Sequence, residues 1–277
     1  MMIKAIAISI LSLLVLSHAT IAGDFHEGKG YGTVKLNMSS WSSKKIYDND
    51  GEKKDRFDQR HFLVNLKGQY GISKHFNFLA EIPYLNNTIK ADGKSDSKAA
   101  LGDLQLGFRY AFTIQQPYAI SISFLQSLAT SDHQKGEYER NTGYGDSYQS
   151  INMDFEYKKN DKFYAVISGG GQLHHQGFGD AITGKIEAGI QLEKELWISL
   201  SFGGFQPLEN GDESHFNQLG SYSNNSGLIA FEPEVSWKHK SGFGIFTAYQ
   251  IPLKGQWIEA TNTVKFGLFY KIQPKTD

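Results

Sequence analysis

Leu104, Leu106, Phe108, Tyr110 and Phe112 alternate with Asp103, Gln105, Gly107 and Arg109, so an extended chain here presents hydrocarbon on one face and water-seeking groups on the other. The same period of two recurs along the chain. It is carried by Val34, Leu36 and Met38, by Phe62, Val64 and Leu66, by Phe76, Phe78, Ala80 and Ile82, and by Ile120, Ile122 and Phe124. Further along it returns in Ile151, Met153 and Phe155, in Ile186, Ala188 and Ile190, in Ile198, Leu200 and Phe202, and in Val264, Phe266 and Leu268. A side-chain period of two is that of strands.

The connections between these runs alternate in length. Short ones fall at 70–74, 113–116, 158–161, 193–195 and 240–242, and read as hairpin turns. Long polar ones fall at 42–56, 86–98, 130–144, 174–183, 208–225 and 254–261. Tight turns on one side and long loops on the other are the mark of outer-membrane barrels, and this order implies about twelve strands with both termini on the periplasmic side. The strands are expected near 29–41, 57–70, 75–85, 100–112, 117–129, 145–157, 162–173, 184–192, 196–206, 227–238, 242–252 and 262–272. The fold class is therefore all-β, a single closed antiparallel transmembrane barrel.

Two further signals bear on register. Tyr70, Phe76, Tyr110, Tyr118, Tyr157, Phe163, Trp197 and Trp237 gather beside the short turns as a periplasmic aromatic girdle, with Trp41, Tyr84 and Trp257 as a sparser outer set. Pro83, Pro117, Pro207, Pro252 and Pro274 fall at or beyond the expected strand ends, as residues without a ladder donor should. Pro233 falls inside the tenth strand, where a bulge or local break is expected.

Lys4 followed by the apolar stretch 5–16 and small residues at Ser17, Ala19 and Ala22 reads as a secretory signal peptide, too short to span a bilayer as a helix. Cleavage after Ala22 competes with cleavage after Ala19, the first being preferred. This divides the chain into a signal at 1–22 and a barrel domain at 23–277. With 28 Lys and Arg against 29 Asp and Glu, there is no basic surplus for nucleic-acid binding. The absence of cysteine excludes disulfides and thiolate metal chemistry. No cofactor is implied, and the expected partners are outer-membrane lipid and a small solute.

The opposite strand faces point inward. They carry Lys35, Lys67, Glu81, Asp103, Arg109, Asp154, Glu156, Glu187, Glu232, Glu234 and Lys265, a polar lumen that leans acidic. Twelve strands lie between eight, which side chains fill, and sixteen, which leave an aqueous channel. These groups either pair off as a salt-bridged interior or line a narrow pore, where an acidic bias favours cations or neutral polar solutes. The first reading of function is a passive channel for small solutes, extending to hydrophobic or aromatic ones. A closed barrel with a surface-binding role is the second. An outer-rim lipid or ester hydrolase is the third, with Ser131 beside His133 or Ser214 beside His215 in the catalytic role, but chain spacing alone does not support it. His174 and His175 are adjacent on an expected strand end and cannot readily share a metal.

The stretch 100–110, Ala-Leu-Gly-Asp-Leu-Gln-Leu-Gly-Phe-Arg-Tyr, resembles a recurrent segment of the outer-membrane transporters grouped as the phenol meta-pathway degradation family. In that family a Gly-Asp pair opens a descending strand just after an outer loop, and Gly145-Asp146 repeats the placement two strands later. The resemblance implies a barrel in the bacterial outer membrane with a transport role and supplies no catalytic residues. The last strand also looks like an outer-membrane assembly signal, although 273–277 follow its apolar Tyr270 and Ile272.

Overall fold

A computed structural model describes residues 26–91, 94–115, 117–131, 141–159, 162–175, 177–212 and 224–274. Among them every element is a strand: β1 (Gly32–Tyr47), β2 (Lys53–Gly71), β3 (Phe76–Ala91), β4 (Lys94–Leu101), β5 (Leu104–Gln115), β6 (Tyr118–Leu128), β7 (Gln149–Lys159), β8 (Phe163–Leu173), β9 (Ala181–Gln191), β10 (Leu196–Pro207), β11 (Gly227–Lys238), β12 (Phe243–Gln256), β13 (Ile258–Glu259) and β14 (Thr263–Ile272). Neighbours in sequence pair antiparallel around the ring, and β1 pairs with both β2 and β14, so the sheet closes on itself. β4 pairs only with the outer half of β3, and β13 touches only the end of β1. Leaving out these two appendages, the wall is a closed barrel of twelve strands.

The alternating faces sort as the period of two demands. Leu106, Phe108, Tyr110 and Phe112 on β5 are exposed on the outer wall, while Arg109 between them is 4% exposed. Phe62, Ile122, Phe124, Met153, Ile186, Leu200, Val235 and Phe266 continue the apolar belt on other strands. Closure leaves the twelve-strand wall without an open edge, which is what permits a sheet to cross hydrocarbon. Near the short turns, Tyr118 packs on Tyr157 at 5.2 Å and Tyr157 on Phe163 at 6.1 Å, forming the aromatic girdle.

Several sequence expectations change. The stretches 42–56 and 86–98 are largely strand: β1 and β2 continue outward to Tyr47 and from Lys53, and β3 and β4 form a hairpin over the second. Polar residues on both faces concealed this extension, because a strand standing beyond the bilayer has no lipid face to keep apolar. Pro83 lies inside β3, not at its end. It is tolerated because the neighbouring strand breaks there, between β4 and β5, where the Gly102 N–H donates to the Pro83 carbonyl at 2.8 Å.

Pro252 likewise sits inside β12, beside a bulge at Leu253, where the register against β11 shifts between Ile229 and Ala230. β11 runs unbroken through Pro233 and pairs it with Leu200 of β10. Toward β12 the register is the same before and after it, Phe231 opposite Ile251 and Glu234 opposite Ala248, with a lapse in the ladder between. The bulge or break expected at Pro233 therefore does not form: the strand stays intact, only the pairing toward β12 lapses at the residue that lacks a donor, and the inside–outside order is kept, with Val235 outward and Glu234 buried. Trp41 is not part of the outer girdle. Its odd position on β1 turns it inward, onto the buried ring of His61 at 4.7 Å.

Candidate functional site

Inward positions of successive strands stack into a polar interior. Lys35 on β1 meets Glu234 on β11 at 3.4 Å, with its ammonium 3.7 Å from the centre of the Phe246 ring. Lys265 on β14 meets Glu232 at 2.5 Å, and Lys67 on β2 meets Glu81 on β3 at 2.9 Å. Arg109 lies 3.6 Å from Asp154 on β7, whose carboxylate also accepts from Ser168 at 2.6 Å. Glu187 accepts from the Tyr164 hydroxyl at 2.6 Å and pairs with Lys185. Glu156 accepts the backbone N–H of His26 at 3.1 Å. All eleven residues expected to face the lumen therefore lie inside the barrel, and ten of them engage one another or Lys185 or a backbone amide there.

Several of these pairs join strands that are not neighbours, β1 to β11 and β5 to β7, so they reach across the interior as chords. Burial of a lone charge is costly, and pairing offsets that cost. Among the twelve ionic side chains named so far, counting Asp103, seven are acidic and five basic. Lys185 was overlooked in the sequence, although Thr183, Lys185 and Glu187 share its inward parity on β9.

The eleventh residue, Asp103, does something else. It sits in the break between β4 and β5 and its carboxylate accepts from Ser131 N–H (3.1 Å), Ser131 Oγ (2.6 Å), Tyr144 N–H (2.7 Å) and Gly145 N–H (3.2 Å). Asp146 of the second Gly-Asp pair does the same for the next loop, meeting His174 Nδ1 at 2.9 Å and His175 N–H at 3.3 Å. The aspartate of each Gly-Asp pair thus anchors the described residues of an outer loop at the mouth. The anchored loop carries Tyr144, which packs edge-on against Tyr148, His174 and Phe178. Burial pushes the Tyr144 phenol above its ordinary value, opposed by its contact with Ser226 and reinforced by the Asp103 charge. Burial raises Tyr148 well above its ordinary value too. Both remain neutral at physiological pH.

On the other side of the mouth, His61 lies 3.1 Å from Glu259 and 2.5 Å from Asn87. Glu259 was expected only as loop. A cavity of about 400 Å³ runs down from Trp41, Tyr144 and Phe205 at the mouth to Lys67, Arg109 and Asp154. Its upper wall sets these aromatic rings beside Asp103 and Glu259, and its lower wall is charged.

Of the residues considered for hydrolysis, His133, Ser214 and His215 lie outside the described residues. Ser131 is engaged by Asp103, and Asp180 holds the His174 N–H at 2.8 Å. Among the described residues, no three potential metal-ligating side chains converge.

The geometry defines an outer-membrane-type barrel with a narrow polar interior. No protein-family model matches the chain, and a search of curated proteins finds no relative. Solved structures do resemble it. An outer membrane channel from Pseudomonas putida F1 superposes with a TM-score of 0.71 at 11% identity, over 92% of this chain and 100% of that one. The NanC porin superposes with a TM-score of 0.52 at 6% identity, over 86% and 100%. At such identities the likeness is one of fold.

Proposed function

We propose that the chain is a bacterial outer-membrane channel that passes small solutes passively, exported by a signal at 1–22 that is removed on the way. The observation that carries this reading is the 400 Å³ cavity inside a closed barrel whose outer wall is apolar all round. The acidic excess in the interior favours cations or neutral polar solutes over anions. The aromatic upper wall, with Trp41, Tyr144 and Phe205, extends the solute range to small hydrophobic or aromatic molecules. Membership of the phenol meta-pathway family belongs to this proposal, supported by the placement of Gly102-Asp103 and Gly145-Asp146 at the roots of two mouth loops.

Reconstitution of the mature chain in planar bilayers tests the channel directly. Conductance with a reversal potential displaced toward cations is expected. A folded barrel that never conducts would favour the second reading, a closed barrel acting at its surface, which the chord-like ion pairs support.

A further inference from the structure

We propose that residues 26–31 form a strap that closes the periplasmic end of the interior and swings out when solute passes; this deepens the channel reading and rests on it. The segment does not hang free below β1. It turns back beneath the barrel and is held by strands from several sides of the ring. Glu27 N–H donates to Asn77 Oδ1 at 2.9 Å, and Asn77 Nδ2 donates back to the Glu27 carbonyl at 2.7 Å. The Glu27 carboxylate accepts from Thr33 at 2.8 Å and from Lys271 of β14 at 3.2 Å. His26 reaches Glu156 on β7, which stands five places around the ring from β1, and its ring meets the Lys74 carbonyl in the β2–β3 turn. The strap therefore crosses the opening from one wall nearly to the other.

The strap also lies where a gate has to lie. Asn77 is the next inward residue below Leu79, and Leu79 lines the cavity. Gln69 donates to Asn77 at 2.7 Å and accepts from Arg109 at 3.3 Å, so the strap docks onto the underside of the same network that forms the cavity floor.

Its root is suited to movement. The run Gly28-Lys29-Gly30-Tyr31-Gly32 alternates glycine, and Gly30 has a φ of 81°, the left-handed region that glycine enters freely. Gly71 is needed for docking, since a Cβ there would meet the Gly28 carbonyl at 2.0 Å. The holding contacts are hydrogen bonds and one ion pair with little apolar burial, the kind of attachment that opens locally without unfolding the barrel.

The chain has no cysteine, so a pair introduced as Glu27→Cys with Asn77→Cys contains its only thiols. Bridging them with a short bifunctional thiol reagent locks the strap in place. In planar bilayers, the bridged mature protein is expected to conduct at least ~10-fold less than the same protein before bridging. A second variant, lacking residues 23–30 after the export signal, is expected to conduct without closures. Equal conductance before and after bridging, or a truncated chain indistinguishable from the full one, would overturn the strap and leave the channel standing. If no form conducts although each shows the heat-shifted gel mobility of a folded barrel, the channel reading itself fails.

Discussion

The carboxamide of Asn77 grips the backbone of Glu27 at both ends, accepting from its N–H at 2.9 Å and donating to its carbonyl at 2.7 Å. A side chain of β3 thereby gives the Glu27 N–H and carbonyl the partners that a neighbouring strand would give them. From Asn77 the hydrogen bonds continue through Gln69 to Arg109, whose guanidinium lies 3.6 Å from the Asp154 carboxylate two strands further round the ring. The N-terminal segment is consequently connected to the floor of the cavity.

That connection carries a pH dependence. Burial pushes the His26 imidazole below its ordinary value, the Lys74 carbonyl opposes this, and the Arg109 and His75 charges add to it. Glu27 faces the ring with the opposite sign, and Glu156 binds the residue's backbone. The docked state therefore prefers neutral His26, so docking is strongest above about pH 6.5 and weakens as pH falls below it. Protection of the amides in 26–31, taken relative to the intrinsic exchange rate at each pH, should fall on acidification, and His26→Gln should flatten the response. An identical profile in that variant would refute the assignment to His26.

Asp103→Ala removes an acceptor shared by four donors. Bonds to a charged group contribute ~1.5–3 kcal/mol each, and some are recovered by water, so the mouth loop should lose about 3 kcal/mol of local stability. Exchange of the amides in 141–148 should then speed up by ~100-fold. Asp103→Asn keeps one carbonyl acceptor and should fall between the two.

The Lys35–Glu234 pair is buried on both sides, each side chain being 9% exposed. Lys35→Met alone leaves the Glu234 carboxylate inside without its cation, at a cost of ~3–5 kcal/mol in chemical unfolding from vesicles. Lys35→Met combined with Glu234→Leu should recover most of that loss. If the double variant is no more stable than the single, the pair is not what the two positions share.

Glu81 and Glu232 retain about a fifth of their side-chain surface, more than most interior acids. Replacing both with glutamine leaves Lys67 and Lys265 without their carboxylates and turns the seven-to-five acidic excess into equality. The reversal potential under a salt gradient should move toward the anion value. No movement would place the selectivity elsewhere.

Ile122→Arg puts a guanidinium in the middle of the outer face of β6, where Ile122 is 36% exposed. The cost at the bilayer midplane is ~2–4 kcal/mol. Arginine at an exposed residue of the outer β3–β4 hairpin, such as Ser95, should be nearly neutral in the same unfolding assay.

The alternation of apolar and polar residues, together with the alternation of short and long connections, was enough to determine the twelve strands of the wall, their order and the face taken by their apolar runs, with Trp41 misplaced. These are local properties: a strand has a period of two whatever it pairs with, and lipid demands an unbroken apolar belt. Lys35, Arg109, Asp154 and Glu234 were accordingly legible as interior residues. Their partners were not, because Lys35 and Glu234 stand 199 residues apart and on strands that are not neighbours, and only barrel closure brings them face to face. The same holds for the Asp103 cradle, for Trp41 over His61, and for the return of His26 and Glu27 beneath the barrel. Each depends on distances across a closed ring, and the order of residues along one strand contains no measure of that.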